Sequence, residues 1–396
     1  MAMKSLNILH LTSNDKWTGN AEPIYNLVNS LSNRGHRVYV GFPPGNSMHE
    51  HLKNSELNLV TNLKLHRTIN VVTTLIDIKK LIKFCDDKKI DIIHTHMTHD
   101  HWIAGLAKTF SKSKPLLFRT RHKITKIEND FVHRFLNNKI TDCIITLSDK
   151  LKQKYIDAIK ISPDKVEVVY GAVDSEKYNP QNDGSEVKKS LGFERDDKVV
   201  GMISHFKPDR GYEYLFQIMP DLKRAVPDLK FILAGGKSRY QKGLGERIRK
   251  IGLERDVTFI LDNRFKWEEV LASFDVSLYL AVGSEGSGRA MLEVMATGKP
   301  LIAFDIGVVS ETIEDGASGI IIKQGDITAL KESILYIINN SDKAKQMGLE
   351  GRRIIENKFT LEKQVNKMEE IYFKFCKGFI DASPTKNKSD NKLEKT

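Results

Sequence analysis

Short apolar runs alternate with longer amphipathic stretches along this chain. Asn7-Ile8-Leu9-His10-Leu11 reads as a buried strand. Between Ala21 and Arg34, Ile24, Leu27, Val28 and Leu31 recur three and four apart, as one helical face requires, and Gly35 stands where a left-handed residue closes a helix. A strand follows at 37–41, a helix ends near Lys88, and 90–94 and 142–147 read as further buried strands. Ser148 is placed to cap a helix over 149–160. After a charged stretch with Asn179-Pro180 and Asp183-Gly184 the rhythm restarts, with strands predicted at 199–203, 229–234, 257–260, 276–280, 301–304 and 319–322. A last helix is predicted from Leu361 to Phe375.

Strand, helix, strand in this order means βαβ units and parallel sheets. The expected fold is α/β, with two doubly wound Rossmann-like domains facing a central cleft. The expected boundaries are an N-terminal domain over 1–173, a linker over 174–197, a C-terminal domain over 198–360, a helix over 361–377 that crosses back to the first domain, and a disordered Lys/Asn/Ser-rich tail over 378–396. In each half a ligand belongs beyond the carboxyl ends of the strands.

Composition narrows the class. With 396 residues, the chain is too long for one ordinary core, and 40% hydrophobic content suffices for two. No run of about 18 apolar residues is present, so no membrane span is expected, and the first residues are too polar for a signal peptide. Cys85, Cys143 and Cys376 are too far apart to suggest a disulfide framework or a metal pair, which suits a reducing cytosol. The net charge of +11 is uneven: His101 to Ile140 holds nine Lys/Arg and two acids. Such a stretch suits nucleic acid, a phosphorylated substrate or anionic lipid, or else a plain solvated surface. With no zinc-finger spacing or aromatic RNA-binding motif, nucleic acid is not expected as a partner.

The segment from Gly283 to Pro300 carries the chemistry. It leaves a buried strand, turns through small residues and becomes a helix that Gly298 ends. The turn lets backbone approach a ligand, and the helix start offers N–H groups to a phosphate. Glu285 lies in the turn and Glu293 about two helical turns deeper. Carboxylates are good acceptors for sugar hydroxyls.

Here the sequence resembles the retaining GT-B glycosyltransferases of the glycogen-synthase-like group, the glycosyl transferases group 1 or family-four type. Their hallmark is Glu, seven residues, Glu, matched by Glu285 and Glu293. Further matches are Lys299-Pro300, Gly307, Glu311, Asp315-Gly316, Gly325-Asp326, Pro208-Asp209-Arg210-Gly211 and Val168-Val169-Tyr170-Gly171. In the N-terminal half the resemblance covers Gly19 to Glu22, Arg34 to Val38 and Asp91 to His96.

The resemblance implies an N-terminal acceptor domain and a C-terminal domain for a nucleotide-sugar donor. It gives Glu293 the ribose hydroxyls and Glu285 the transferred sugar, with Gly286, Ser287, Gly288 and Arg289 forming the turn between. The diphosphate falls to Arg210 and to His205, which stands where the family carries a cation, with Lys207 close enough to replace it. Gly19-Asn20 matches the family's glycine pair, and His122 matches a histidine near the transferred sugar. The base belongs near Asp262, Asn263 and Arg264. His94, His96, His99 and His101 form a cluster that we read as cleft residues, with His96 and His99 on the acceptor side, in preference to metal ligands.

No metal or other cofactor is expected. The expected activity is transfer of a hexose-type sugar, with retention, from a UDP- or GDP-sugar to a glycan or lipid-linked acceptor of envelope polysaccharide or lipopolysaccharide. The expected place is cytoplasmic and peripheral on the inner face of the membrane. A nucleotide-sugar 2-epimerase and a non-catalytic nucleotide-sugar-binding relative are the alternatives.

Overall fold

The run Asn7–Leu11 forms β1, the strand on which the N-terminal half is built, with Ile8, Leu9 and Leu11 fully buried. A computed structural model describes residues 5–14, 21–45, 47–53, 55–65, 70–122, 127–194, 196–261, 264–282 and 288–381. The other N-terminal strands are β2 (Arg37–Gly41), β3 (Asn58–Val60), β4 (Ile92–Thr95), β5 (Leu116–Arg121), β6 (Cys143–Thr146) and β7 (Val166–Val168). They pair in the order β3-β2-β1-β4-β5-β6-β7, and every pairing is parallel. The register sets His10 beside His94.

The helices of this half are α1 (Ala21–Asn33), α2 (Ser47–Leu52), α3 (Val71–Lys88), α4 (Thr98–Phe110), α5 (Phe131–Phe135) and α6 (Asp149–Ile159). The apolar stripe predicted on α1 is the face it buries, and Ser148 caps α6 by accepting from Leu151 N at 3.1 Å. Helices α3 and α4 cover one face of the sheet and α1 the other.

The second sheet holds β8 (Val199–Ile203), β9 (Lys230–Ala234), β10 (Val257–Ile260), β11 (Val276–Tyr279), β12 (Leu301–Phe304) and β13 (Ile320–Ile322), in the order β10-β9-β8-β11-β12-β13, again parallel. Its helices are α7 (Ser185–Ser190), α8 (Tyr212–Ala225), α9 (Arg239–Lys250), α10 (Trp267–Ala272), α11 (Arg289–Ala296), α12 (Val309–Thr312), α13 (Ile327–Asn339) and α14 (Ser341–Lys358), before a final helix α15 (Leu361–Asp381).

Two expectations need correction. The stretch 174–197 is no free linker: it carries α7 and buries Tyr178, Val187 and Phe193 in the C-terminal core. The final helix does not stop at Phe375 or at residue 377; it continues to Asp381, because Gly378 weakens a helix without breaking it. Residues 382–396 of the expected tail lie outside the described residues.

Helix α15 packs on α1 and buries Val365, Met368, Ile371 and Tyr372 in the N-terminal core. Its Glu369 meets Arg34 at 2.6 Å and His36 Nε2 at 3.0 Å. His36 Nδ1 accepts from Leu6 N, so Nε2 carries the proton it donates to Glu369. The two chain crossings between the halves lie side by side, with Val173 N donating to Phe359 O at 2.9 Å.

Candidate functional site

The site assembles where the carboxyl ends of the two sheets face each other. A pocket there is lined by His96, Thr120 and His122 from the first domain, Gly171 and Ala172 at the crossing, and Arg289 from the second.

On the C-terminal side, Gly288 adopts φ +59° at the start of α11, and a Cβ there would lie 2.7 Å from Met291 Cε. One turn into α11, Glu293 is buried and accepts from Arg289 Nε at 2.7 Å. The same guanidinium reaches across the cleft, Nη2 lying 2.6 Å from Glu22 Oε2 on α1. Burial pushes the Glu293 carboxyl above the ordinary range, and Arg289 works against that shift. Burial opposes the charge on Arg289, but Glu293 and Glu22 more than offset it. The buried Tyr178 hydroxyl has no hydrogen-bond partner among the described residues, and Glu293 adds to the burial that keeps it protonated.

Behind β8 the chain makes a 3-10 turn, Pro208–Arg210, and Gly211 follows at φ +80°. A Cβ on Gly211 would fall 2.0 Å from Leu280 O, so only glycine lets this loop lie against the end of β11. Val282 N donates to Asp209 O at 2.9 Å and fixes the two loops together. Partial desolvation, then Lys207, Arg210 and Arg289, hold His205 below its ordinary pKa and therefore neutral. The cations expected at the diphosphate thus share one electrostatic neighbourhood. Arg264 is exposed after β10, the edge strand, with its guanidinium 5.4 Å from the Phe265 ring centroid.

On the N-terminal side the histidines form a chain. His10 Nδ1 lies 3.0 Å from His96 Nε2, and His96 Nδ1 lies 3.1 Å from His122 Nε2. His94 shares hydrogen bonds with Tyr372 Oη at 2.5 Å and Thr120 Oγ1 at 2.7 Å. Burial holds His10 down to about 3 and His94 and His96 well below the ordinary value, so all three are neutral. The His10, His94 and His96 nitrogens lie within 4.8 Å of one another, as metal ligands could, but both nitrogens of His94 and of His96 are engaged in hydrogen bonds. His10 Nε2 is buried with no partner among the described residues. A buried orphan N–H is rarer than an orphan acceptor. The favoured arrangement therefore has His10 Nδ1 donating to His96, His96 Nδ1 donating to His122, and the His122 proton on Nδ1.

The expected cluster is partly redrawn. His94 and His96 belong to it, joined by His10 and His122, which chain spacing does not connect. His101 points elsewhere, accepting from Arg119 Nη1 at 2.9 Å and pairing with Thr141. His99 sits half-buried in the first turn of α4 and does not line the pocket. Asp100 accepts from His96 N and Met97 N and holds the end of β4 in place; burial pushes its carboxyl up to about 6. Gly19, Asn20, Asp262, Asn263, Glu285, Gly286 and Ser287 lie outside the described residues.

Glu311 makes a second contact between the halves. Its carboxylate accepts from Asp149 N at 2.8 Å and Lys150 N at 2.9 Å, capping α6 from the other domain. Tyr170 Oη reaches both Glu311 and Asp149.

Two facing parallel sheets with interleaved helices and a cleft at their carboxyl ends define the GT-B architecture. Residues 21–177 match the family described as Glycosyltransferase Family 4, and residues 183–354 match Glycosyl transferases group 1. The chain belongs to the group 1 glycosyltransferases. It is 27% identical over 303 residues to N-acetyl-alpha-D-glucosaminyl L-malate synthase of Bacillus anthracis, covering 74% of this chain and 77% of that protein. It is 25% identical over 329 residues to the Escherichia coli UDP-Gal:alpha-D-GlcNAc-diphosphoundecaprenol alpha-1,3-galactosyltransferase, covering 78% and 81%. The structure of Anabaena Alr3699/HepE in complex with UDP superposes with a TM-score of 0.81 at 20% identity, covering 93% of this chain and 100% of that one.

Proposed function

We propose that this glycosyltransferase moves a hexose-type sugar from a UDP- or GDP-linked donor to a glycan or lipid-linked acceptor, with retention, in envelope polysaccharide or lipopolysaccharide assembly. The observation that carries this reading is the buried Glu293 carboxylate held by Arg289, which itself lines the cleft pocket and acts, with Lys207 and Arg210, on His205. Buried carboxylate oxygens suit a ribose diol, and fixed cations suit a diphosphate. The UDP bound in the Anabaena structure and the UDP-Gal donor in the E. coli relative's name agree with it.

On this reading the leaving diphosphate gains charge as the glycosidic bond breaks, and Arg210, Lys207 and the start of α11 stabilise it without a metal. Glu285 and the 286–289 turn hold the transferred sugar. His122 donates to a sugar hydroxyl. The acceptor hydroxyl attacks from the face the diphosphate leaves, and a diphosphate oxygen takes its proton. Closure of the halves excludes water. The exposed cations between His101 and Ile140, among them Lys112, Lys114, Arg134 and Lys139, support a place at the cytoplasmic, anionic face of a membrane.

Proton NMR of the purified chain with α-linked UDP- and GDP-hexoses, with and without a lipid-linked or glycan acceptor, tests this. The expected result is donor consumption with an α-configured product. A β-configured product contradicts retention, and donor epimerised without acceptor identifies the epimerase alternative.

A further inference from the structure

We propose that the outer face of α3, α4 and α5 docks on an anionic lipid bilayer. This deepens the membrane part of the reading above and rests on it.

Among the described residues, nine of the twelve exposed large hydrophobic side chains fall on these three helices. On α5, Phe131 is 82% exposed, and Val132 and Phe135 are also bare. On α4, Trp102, Leu106 and Phe110 stand four apart and form one outward stripe, while Ile103, Ala104 and Ala107 face the core. The first turns of α3 expose Val71, Val72, Leu75 and Ile76.

The helices are contiguous. Helix α4 packs against α3 and against the π-helical turn Leu136–Ile140 that continues α5. Gly105 permits that second contact, since a Cβ there would lie 2.7 Å from Leu136 Cδ1. The Trp102 ring meets His133 edge-on at 5.5 Å. The helices that carry these nine bare side chains are therefore neighbours, a concentration that scattered surface hydrophobes do not explain.

Charge selects the occupant. Exposed Lys112 and Lys114 follow α4, Arg134 and Lys139 flank Phe135, and Lys79 and Lys80 lie on α3. Exposed Glu128 and Asp130 stand before Phe131, but the cations outnumber them, and apolar tips inside a rim that is basic on balance fit the headgroup boundary of an anionic bilayer, where each cation contributes about 1 kcal/mol. A second copy would bring an equally basic rim against the first. The other face of the sheet is already covered by α1 and α15. Helix α4 begins directly beyond β4, so a docked α4 adjoins the strand end that carries His96.

Flotation of the full chain with phosphatidylcholine vesicles, with and without phosphatidylglycerol, tests the proposal. The expected result is binding that needs phosphatidylglycerol and falls with salt. Phe131→Ser with Phe135→Ser, and separately Lys112→Glu with Lys114→Glu, should each weaken it by roughly tenfold or more. Both variants alter exposed side chains, and both should keep the wild-type melting temperature and its shift with nucleotide. Absence of flotation, equal flotation without phosphatidylglycerol, or variants that float like wild type would overturn it. So would a stable dimer that the Phe pair disrupts. Failure of the glycosyl-transfer reading would appear separately, as wild-type protein with no nucleotide shift.

Discussion

Arg289 and Glu22 meet across the cleft at 2.6 Å, and Arg289 holds Glu293 at the same time. One guanidinium therefore joins the two domains and neutralises the buried carboxylate proposed for the ribose. Removing it leaves Glu293 buried without its cation. We expect Arg289→Gln to cost about 3 kcal/mol, the low end for breaking a buried pair. Glu22 is 30% exposed at its side chain, and for such a group Glu22→Gln should cost no more than about 1 kcal/mol. Urea denaturation of both variants checks the order; equal losses would mean that the interdomain contact, not Glu293, sets the cost.

Gly211 and Gly252 offer a matched pair. Both have positive φ, +80° and +73°, but a Cβ on Gly211 meets Leu280 O at 2.0 Å and one on Gly252 meets nothing within 4 Å. Gly252→Ala should cost only the left-handed penalty of about 1–2 kcal/mol. Gly211→Ala must also move the Arg210 loop or the end of β11, and should cost well above about 3 kcal/mol. Thermal melts of the two variants make the comparison.

Acid should unfold the chain through its buried histidines. His10, His94 and His96 have folded-state values below the unfolded 6.5. Below pH 6.5 the unfolded chain binds protons that the folded chain refuses, so stability present above that pH is lost as pH falls toward about 3, the His10 value. Each such group adds a slope of up to about 1.4 kcal/mol per pH unit. His10→Phe should reduce the slope by up to one proton. Denaturant midpoints across this range measure it, and an unchanged slope would show that His10 titrates normally.

The histidine chain has a spectroscopic consequence. With His10 donating inward, His122 carries its proton on Nδ1. Long-range nitrogen–proton NMR on histidine-labelled protein should show that tautomer in the wild type. His10→Phe removes the donor that orders the chain and should mix the tautomers at His122. An Nε2-protonated His122 in the wild type would reverse the orientation argued here.

The two parallel sheets were legible because most of their strands are continuous apolar runs bounded by turn residues. β8, β10 and β12 occupy the predicted residues. β5 escapes the pattern because Arg119 and Arg121 read as solvated charges, whereas Arg119 is buried against His101 and Thr98, and Arg121 lies near the Tyr155 ring. β3 has only three residues, too few to show a period. Glu293 and the helix that bears it followed from the run of small residues that precedes them in the sequence. The partners of Arg289 did not all follow: Glu293 is one turn away on the same helix, but Glu22 is brought near only by the facing of the two domains. His10 looked like any strand residue until the strand order set β1 beside β4. Tyr178 was hidden in a segment whose charge and turn residues suggest a linker.

The most direct measurement is a titration of the wild type and Glu293→Gln with UDP, GDP, ADP, CMP and their hexose conjugates, followed by melting temperature and calorimetry. A ligand bound only by the folded state must raise the melting temperature. The expected result is a clear shift with one nucleotide and its sugar conjugates, and affinity lower by roughly tenfold to a hundredfold in Glu293→Gln, as loss of charged hydrogen bonds to a ribose diol requires. No shift with any nucleotide in the wild type, or the same affinity in the variant, would contradict a ribose site at Glu293.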